Sequence, residues 1–586
     1  MQFAYQSLAN IVSKQLWLRF LWRPIAANGR FFSFMYLLGA VCIWTVNAFG
    51  KVRGMFELYA ELYLLCVLLL LCPRCVRRWA RGLLAVVLYV LAVVDLFCYS
   101  RFGSGITPML LTDVVNTNVR EATEALRSFV TLRSLLSPVL LVFLVAGLHL
   151  WWVWRKPRLP RCRLSQQLLG ALSGAAFLAC SVSSLTNWRF FEWNFFEADT
   201  ELEMQYGWQH EYVTAFYLPV YRLIQAARNV EINMRSIRVL ESKADAVSVD
   251  SCSYRSPNIV LIIGESYNRR HAQLYGYFLP TTPLQQKLAA DSSLVAFTDV
   301  IAPYNQTSEV FRLMFSLYGQ GCKRRWEDYP LFPQLFRRAG YNVDFITNQF
   351  VMSPHLDIWD YNGSTILNSP KLSRSQFSHR NTRFRRYDQG LLHDYDSLQR
   401  YDTRHNLIIF HLLGQHFNYA DRFPSAFARF RPKDYRRPDL TPAELKLLAD
   451  YDNATLYNDY VVNGIVSRFA GRDAVVIYVP DHGELVFDDS RTFGRTFDIK
   501  NWNEAHQQLE VPFWIYATPI YRHRHPEVWQ QVWKARKQPF MTDNLDQMLL
   551  YLAGIRCADY RPQDNPLEPV YRPRKRIAEE GWRYDR

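Results

Sequence analysis

The stretches Asn258-Ile-Val-Leu-Ile-Ile-Gly-Glu265-Ser266 and Ala474-Val-Val-Ile-Tyr-Val-Pro-Asp481-His482-Gly-Glu484 decide how this chain folds. Each is a run of β-branched and other apolar residues, the pattern of a strand buried on both faces, and each stops at residues with metal-ligand chemistry. In an open parallel sheet, ligands gather beyond the carboxyl ends of the strands. Glu265, Asp481 and His482 are therefore expected to converge on one cation although far apart in sequence. Such a set is the signature of a hydrolase or a transferase.

Working outward, a chain of 586 residues exceeds one ordinary domain, and its apolar residues crowd into the first third. Five apolar spans are read at residues 32–50, 55–72, 82–100, 135–154 and 166–185, each near the ~20 residues a helix needs to cross the hydrocarbon core. Lys14, Arg19, Arg23 and Arg30 precede the first span, Arg74, Arg77, Arg78 and Arg81 separate the second from the third, and Arg155, Lys156, Arg158, Arg161 and Arg163 separate the fourth from the fifth. The excess of positive charge on one side predicts a cytoplasmic N-terminus and an exported remainder, with Lys51 and Arg53 outvoted. The first 30 residues show no cleavable signal, so the first helix would serve for export. Asp95, late in the third span, is either a functional intramembrane acid or a hydrated residue near the outer interface.

The expected organisation is a transmembrane domain over residues 1–185, an aromatic interfacial segment and linker over 186–256, a catalytic α/β domain over 257–560, and a basic, proline-containing surface tail over 561–586. Two readings stand for the aromatic run Trp188 to Phe196: it lies along the membrane, or it packs under the globular domain. Glu241 to Ser251 reads as the linker. The formal charge of +15 does not indicate nucleic acid, because much of the excess orients the membrane domain and no base-reading motif is present. Basic residues elsewhere suit anionic membrane lipids. Seven of the ten cysteines lie in or beside the spans, leaving Cys252, Cys322 and Cys557. That is no disulfide framework, so the exported domain relies on its own core.

Strands alternating with helices after Pro257 predict a mostly parallel sheet, with further strands at Tyr341 to Thr347, Asn406 to His411 and Val511 to Tyr516, and a helix from Leu445 to Phe469. The polar loop Ala302-Pro-Tyr-Asn-Gln-Thr307-Ser308 runs into an apolar helix. A threonine there is commonly a simple cap. The same position suits a phosphoryl-transfer nucleophile, because free backbone N–H groups and the helix dipole favour phosphate oxygens. A hydroxyl is a poor nucleophile until a metal activates it, which ties Thr307 to Glu265, Asp481 and His482. His411 and His416 follow a predicted strand and His506 precedes one. The pair His416 and His506 would bind the transferred phosphate, hold a second metal, or protonate a leaving oxygen.

Gly264-Glu265-Ser266 followed by Leu274 to Pro283, the Thr307 loop leading into Met314-Phe-Ser, His411-Leu-Leu-Gly-Gln-His416, Tyr451-Asp-Asn and Asp481-His-Gly-Glu484 together resemble the phosphoethanolamine transferases of Gram-negative bacteria, including those that modify lipid A and confer polymyxin resistance. The resemblance implies a five-helix inner-membrane domain and a periplasmic catalytic domain of the alkaline phosphatase/sulfatase type. It implies zinc, one ion or two, on Glu265, Thr307, Asp481 and His482, with Thr307 accepting phosphoethanolamine from phosphatidylethanolamine for an envelope lipid or glycan. It also implies phosphoryl contacts from His416 and His506, with His411 beside them, and donor head-group contacts from Asp113, Thr117 and Glu121. Asp113 stands where lipid A enzymes carry Asn, no cysteine pair brackets Thr307, and the stretch from Asp481 to His506 is long, departures that point to a different acceptor. The alternatives are a glycerophosphate transferase of the lipoteichoic-acid-synthase type and a sulfatase-like phosphodiesterase.

Overall fold

The apolar first third is helical in a computed structural model that describes residues 18–46, 51–102, 138–155, 165–185, 219–351, 363–398, 404–489, 491–496, 499, 501–578 and 581–585. The chain divides into two units, Met1–Asn233 and Met234–Arg586. In the first unit, the described helices include α1 (Leu18–Val46), α2 (Lys51–Leu71), α3 (Arg74–Phe102), α4 (Val139–Arg155) and α5 (Gln166–Leu185). Among the described residues, Leu18–Thr45, Gly54–Leu71 and Arg74–Ser100 are long and apolar enough to cross a membrane, while Val139–Arg155 and Gln166–Val182 are shorter apolar helices. Leu38, Leu58, Leu62, Leu88, Leu96 and Val142 pack at their centre, and Asp95 is fully buried in this unit.

The helix ends differ from the expected spans. The first helix begins well before residue 32, taking in Arg19, Arg23 and Arg30, and bends at Asn28, whose φ is −123°. The Asn28 amide donates to the Pro24 carbonyl at 3.0 Å, an acceptor the bend frees, and to the Cys66 carbonyl of the neighbouring α2 at 3.1 Å. The arginine group from Arg74 to Arg81, expected as a loop, opens α3 directly after Pro73. An apolar window locates a span but not its ends, since arginine is a good helix former and carries its charge outward on an apolar stem.

In the second unit a seven-stranded sheet runs in the order β2-β9-β6-β1-β5-β3-β4, where β1 is Asn258–Gly264, β2 Leu294–Phe297, β3 Asn342–Thr347, β4 His379–Arg380, β5 Asn406–His411, β6 Ala474–Pro480 and β9 Phe513–Ala517. From β6 to β4 every neighbouring pair is parallel. Strand β9 runs antiparallel to both β6 and β2, so the sheet is mixed. Alternation and apolarity mark Val511 to Tyr516 as a strand but carry no information on its direction, which the connection through the preceding helix sets. β1 and β6 lie side by side in register, Ile263 beside Val479 and Gly264 beside Pro480. Their carboxyl ends therefore deliver Glu265 and Asp481 to one crevice.

Two apolar layers cover the sheet. One contains Ile259, Leu261 and Ile263 of β1 with Phe311, Met314 and Phe315. The other contains Val260 and Ile262 with Val461, Val462 and Ile465 of the long helix Pro442–Arg468, opened by a capping box between Thr441 and Glu444. The expected linker is part of this packing: Ile237, Leu240 and Ala244 are buried in the first layer, Val247 and Val249 rest on it, and Ser251–Cys252 pairs with Ile555–Arg556. The expected surface tail also folds back. Arg576 is buried, with its guanidinium on Asp299 and Asp585. Cys252, Cys322 and Cys557 are free thiols.

Candidate active site

At the end of β1 the chain turns through Glu265 into Ser266, a serine held at φ +53°. A non-glycine residue in that region is strained and persists where its surroundings fix it. Here the Ser266 N–H donates to Asp481 Oδ1 at 3.0 Å and its hydroxyl to Glu265 Oε1 at 2.8 Å. The Tyr451 hydroxyl donates to the Ser266 carbonyl and accepts from the Asn268 N–H, both at 2.8 Å. The motif Tyr451-Asp-Asn thus props the Glu265 turn from the long helix. Asp452 holds the buried ring of His271 at 2.6 Å, and Asp488 takes its other nitrogen at 3.1 Å.

Two glycines permit the close packing. A side chain at Gly483 would meet the Gln507 carbonyl at 2.1 Å, and Gly414, at φ +49°, lies against the Glu265 backbone with 2.9 Å from a Cβ to its nitrogen. Only a residue without a Cβ fits either place.

Glu265, Asp481 and His482 are fully buried, and one ligand atom from each lies within 4.8 Å of the other two. His482 Nε2 is 3.5 Å from Glu265 Oε1 and 3.2 Å from Asp481 Oδ2. Thr307 opens the helix Thr307–Phe315, and its hydroxyl lies 3.2 Å from Glu265 Oε2 and 3.4 Å from His482 Nε2. A tetrahedral site with bonds of about 2.0–2.1 Å has edges of about 3.3–3.4 Å, so these separations fit a zinc-sized cation. The His482 Nδ1–H donates to the Gly483 carbonyl at 2.7 Å, which leaves Nε2 with its lone pair, and Asp481 Oδ2 is buried without a hydrogen bond. Gln349 orients the remaining carboxylate, donating to Glu265 Oε2 at 3.0 Å and to the Leu412 carbonyl at 2.8 Å.

Electrostatics point the same way. Burial alone would raise Glu265, but His482, His416 and Arg495 outweigh it and hold the carboxyl below the usual range. Burial, then the charge of Glu265, pushes Asp481 well up. Two carboxylates in one dry crevice cannot both ionise without a cation between them. Burial lowers His482 to about 4, leaving a neutral imidazole suited to ligation.

The other expected residues separate. The half-buried His416 has a buried Nδ1 with no hydrogen-bond partner and is lowered by burial to about 3, a neutral ring under the influence of Glu265. His411, at the end of β5, turns instead toward Thr347 at 3.1 Å and packs on Phe311 and Phe350. His506, on the helix Trp502–Leu509, bonds to Glu510 one turn on and approaches the Tyr584 hydroxyl at 3.4 Å. Asp113, Thr117 and Glu121 lie outside the described residues. Sequence reasoning missed Gln349 and Arg495. The Arg495 guanidinium is 3.1 Å from His482 Nε2, and it stands 4.0 Å from the buried Glu484, which burial raises to about 7 and whose other oxygen accepts from Tyr419 at 2.7 Å.

A mixed sheet with an acid, imidazole and hydroxyl set at its strand ends defines a protein of the alkaline phosphatase/sulfatase class. The family model described as Sulfatase matches residues 257–555, and the one described as Phosphoethanolamine transferase EptA/EptB matches residues 63–199. The chain belongs to the sulfatase family, in its phosphoethanolamine transferase branch. It is 24% identical to phosphoethanolamine transferase EptC of Escherichia coli (strain K12) over 563 residues, 94% of this chain and 93% of that protein. It is 27% identical to phosphoethanolamine transferase CptA of Salmonella typhimurium over 555 residues, 92% of this chain and 91% of that one. In fold it is similar to the integral membrane lipooligosaccharide phosphoethanolamine transferase A of Neisseria meningitidis, with a TM-score of 0.62 at 19% identity over 93% of this chain and 98% of that one.

Proposed function

We propose that this protein transfers phosphoethanolamine from phosphatidylethanolamine to a lipid A, lipopolysaccharide core or other glycan acceptor of the bacterial envelope, through a phosphoethanolamine ester on Thr307. One observation carries the reading: the Thr307 hydroxyl closes a set with Glu265 and His482, beside Asp481, whose spacing suits a divalent cation. Glu265, Thr307, Asp481 and His482 would hold zinc, which when bound lowers the pKa of an oxygen ligand and offsets negative charge.

The chain's own residues supply the rest. The N-terminus of the helix Thr307–Phe315 has no side-chain cap, so its first turn is suited to phosphoryl oxygens. The Thr307 hydroxyl points its proton at Glu265, so Oγ1 would form the bond to phosphorus as the ester bond to diacylglycerol breaks, the proton passing on to the departing diacylglycerol oxygen. The neutral His416 would take the proton of the incoming acceptor. Five membrane helices, a cytoplasmic N-terminus and a periplasmic catalytic domain complete the proposal, since the donor is itself a bilayer lipid. His506 and the loop holding Asp113, Thr117 and Glu121 remain assigned to substrate binding.

The test is the lipid product. Purified protein in vesicles of phosphatidylethanolamine should release diacylglycerol and form no product from phosphatidylglycerol. Turnover of phosphatidylglycerol alone would replace the proposal with a glycerophosphate transferase.

A further inference from the structure

Three separate turns carry the transfer set: one holds Glu265, one holds Asp481 and His482, and one opens the helix that begins at Thr307. A misplacement of about 1 Å among reacting atoms can cost a hundredfold in rate, so transfer depends on whatever fastens these turns to one another. A single short stretch, Gln507 to Glu510, meets all three.

From the Asp481-His482 turn, the Gly483 N–H donates to the Gln508 carbonyl at 2.8 Å. The chain then runs through β7 (Leu485–Val486), which pairs with β8 (Phe493–Gly494), to Thr496, whose N–H donates to Gln508 Oε1 at 2.8 Å. From the Thr307 loop, the Ala302 N–H donates to the Leu509 carbonyl at 2.8 Å, and Asn305 Nδ2 donates to Gln508 Oε1 at 3.0 Å. From the Glu265 turn comes Arg269. Its Nη2 pairs with Glu510 Oε2, and its Nη1 donates to the Thr298 carbonyl at 2.7 Å.

The first two links run through backbone and amide groups, whereas the third hangs on one carboxylate. Glu510 is buried, and its two oxygens serve three segments of the chain. Oε2 takes Arg269, while Oε1 takes His506 Nδ1 and the Tyr584 hydroxyl, the latter at 2.5 Å. Tyr584 belongs to the tail that the sequence presents as a surface extension. Its place is fixed by the pairing of Ile577–Ala578 with Trp582–Arg583 and by Arg576, whose carbonyl accepts from the Tyr584 N–H at 3.0 Å. The Arg576 guanidinium also holds Asp299, the residue before Val300–Ile301 on the way to the Thr307 loop. A buried carboxylate shared among three segments fixes their spacing together, which an exposed ion pair does not.

The geometry points to Glu510 as a positioning residue of the transfer site, the joint through which Arg269 locks the Glu265 turn to the stretch that already holds the other two turns, with Tyr584 of the tail closing it. Glu510 acts through the turns it joins and not on the substrate. The assignment rests on the transfer reading and deepens it, because the tail becomes part of the working enzyme.

The test follows diacylglycerol release from phosphatidylethanolamine vesicles by zinc-saturated full-length protein, with kcat and KM taken separately beside zinc content and melting temperature. Glu510→Ala should lower kcat per zinc-loaded molecule about tenfold to a hundredfold, with KM within about threefold of wild type and zinc content unchanged. Glu510→Gln should recover part of that loss, since its amide oxygen still accepts from Tyr584 while Arg269 keeps no counter-charge. Tyr584→Phe keeps the ring and should lower kcat about twofold to tenfold, the value of one hydrogen bond. A merely structural joint would lower the melting temperature and leave kcat per zinc-loaded molecule unchanged, and that result overturns the assignment. Where Glu510→Ala does not fold, an unchanged kcat in both Glu510→Gln and Tyr584→Phe overturns it equally. So does loss of zinc at saturating zinc in these variants, which would make Glu510 a support of the metal set alone. Failure of the underlying transfer reading shows differently, as a wild-type protein that releases no diacylglycerol and carries no Thr307 adduct.

Discussion

Tyr451→Phe removes one oxygen from the centre of the site's scaffold and leaves the ring in place. The ring contacts, 5.0 Å to Tyr419 and 5.2 Å to His271, survive the change. What disappears is the acceptor for the Asn268 N–H and the donor to the Ser266 carbonyl, both fully buried. An orphaned buried polar group costs about 1–3 kcal/mol, so the two together destabilise the turn by about 2–6 kcal/mol before any water enters. Because Ser266 is held at positive φ by these bonds, the loss should appear first as local opening. Hydrogen exchange of the peptide spanning Glu265 to Asn268 should accelerate by at least about tenfold, since ~1.4 kcal/mol is a factor of ten. Zinc affinity, read by chelator competition, should fall with it. Exchange within twofold of wild type, with zinc affinity unchanged, would refute the view that Tyr451 holds the Glu265 turn.

Other expectations follow from single contacts. Gln349→Leu strips Glu265 Oε2 of its amide donor and should lower metal affinity or activity about 10–100-fold, measured by the same competition and by diacylglycerol release. Burial would lower His271, but Asp488 and Asp452 outweigh it and raise the ring to about 10. Its folded value exceeds the unfolded one, so the stability it contributes is complete below about pH 6.5 and is lost as pH climbs toward 10. In thermal melts between pH 7 and 10, the wild type should lose stability while His271→Gln, already weaker at pH 7, should show a flatter profile; parallel profiles would contradict the assignment. Arg576→Ala leaves Asp299 and Asp585 without their shared guanidinium, and because both carboxylates keep contact with water it should destabilise the second unit by about 1–3 kcal/mol in denaturant titrations.

The cluster was legible because strand ends are where sequence and geometry coincide. Two apolar runs that stop at Glu265 and at Asp481-His482 must deposit those residues on one edge once the strands pair, and a polar loop entering an apolar helix adds Thr307. His411 satisfied the same rule at the end of β5, but Thr347 of the neighbouring strand and the rings around it claimed the imidazole. His506 was drawn toward Glu510 by the one-turn spacing of its own helix, a pairing that sequence displays as readily as a site. Gln349 was illegible since an amide carries no titration signal. Arg495 was hidden among arginines, its reach set by a two-residue hairpin whose visible mark is Phe493-Gly494. The direction of β9 and the ends of the apolar helices escaped for a common reason: periodicity reports burial, not polarity of the chain or the placement of arginines at a helix end.

The measurement that bears most directly on the central claim is peptide mapping by mass spectrometry after incubation with phosphatidylethanolamine, for wild type, wild type stripped by a chelator, and Thr307→Ala. A phosphoethanolamine adduct on the peptide containing Thr307 in the first sample, restored in the second by zinc and missing from the third, is the predicted result. An adduct on another residue, or one that forms equally without metal, would contradict it.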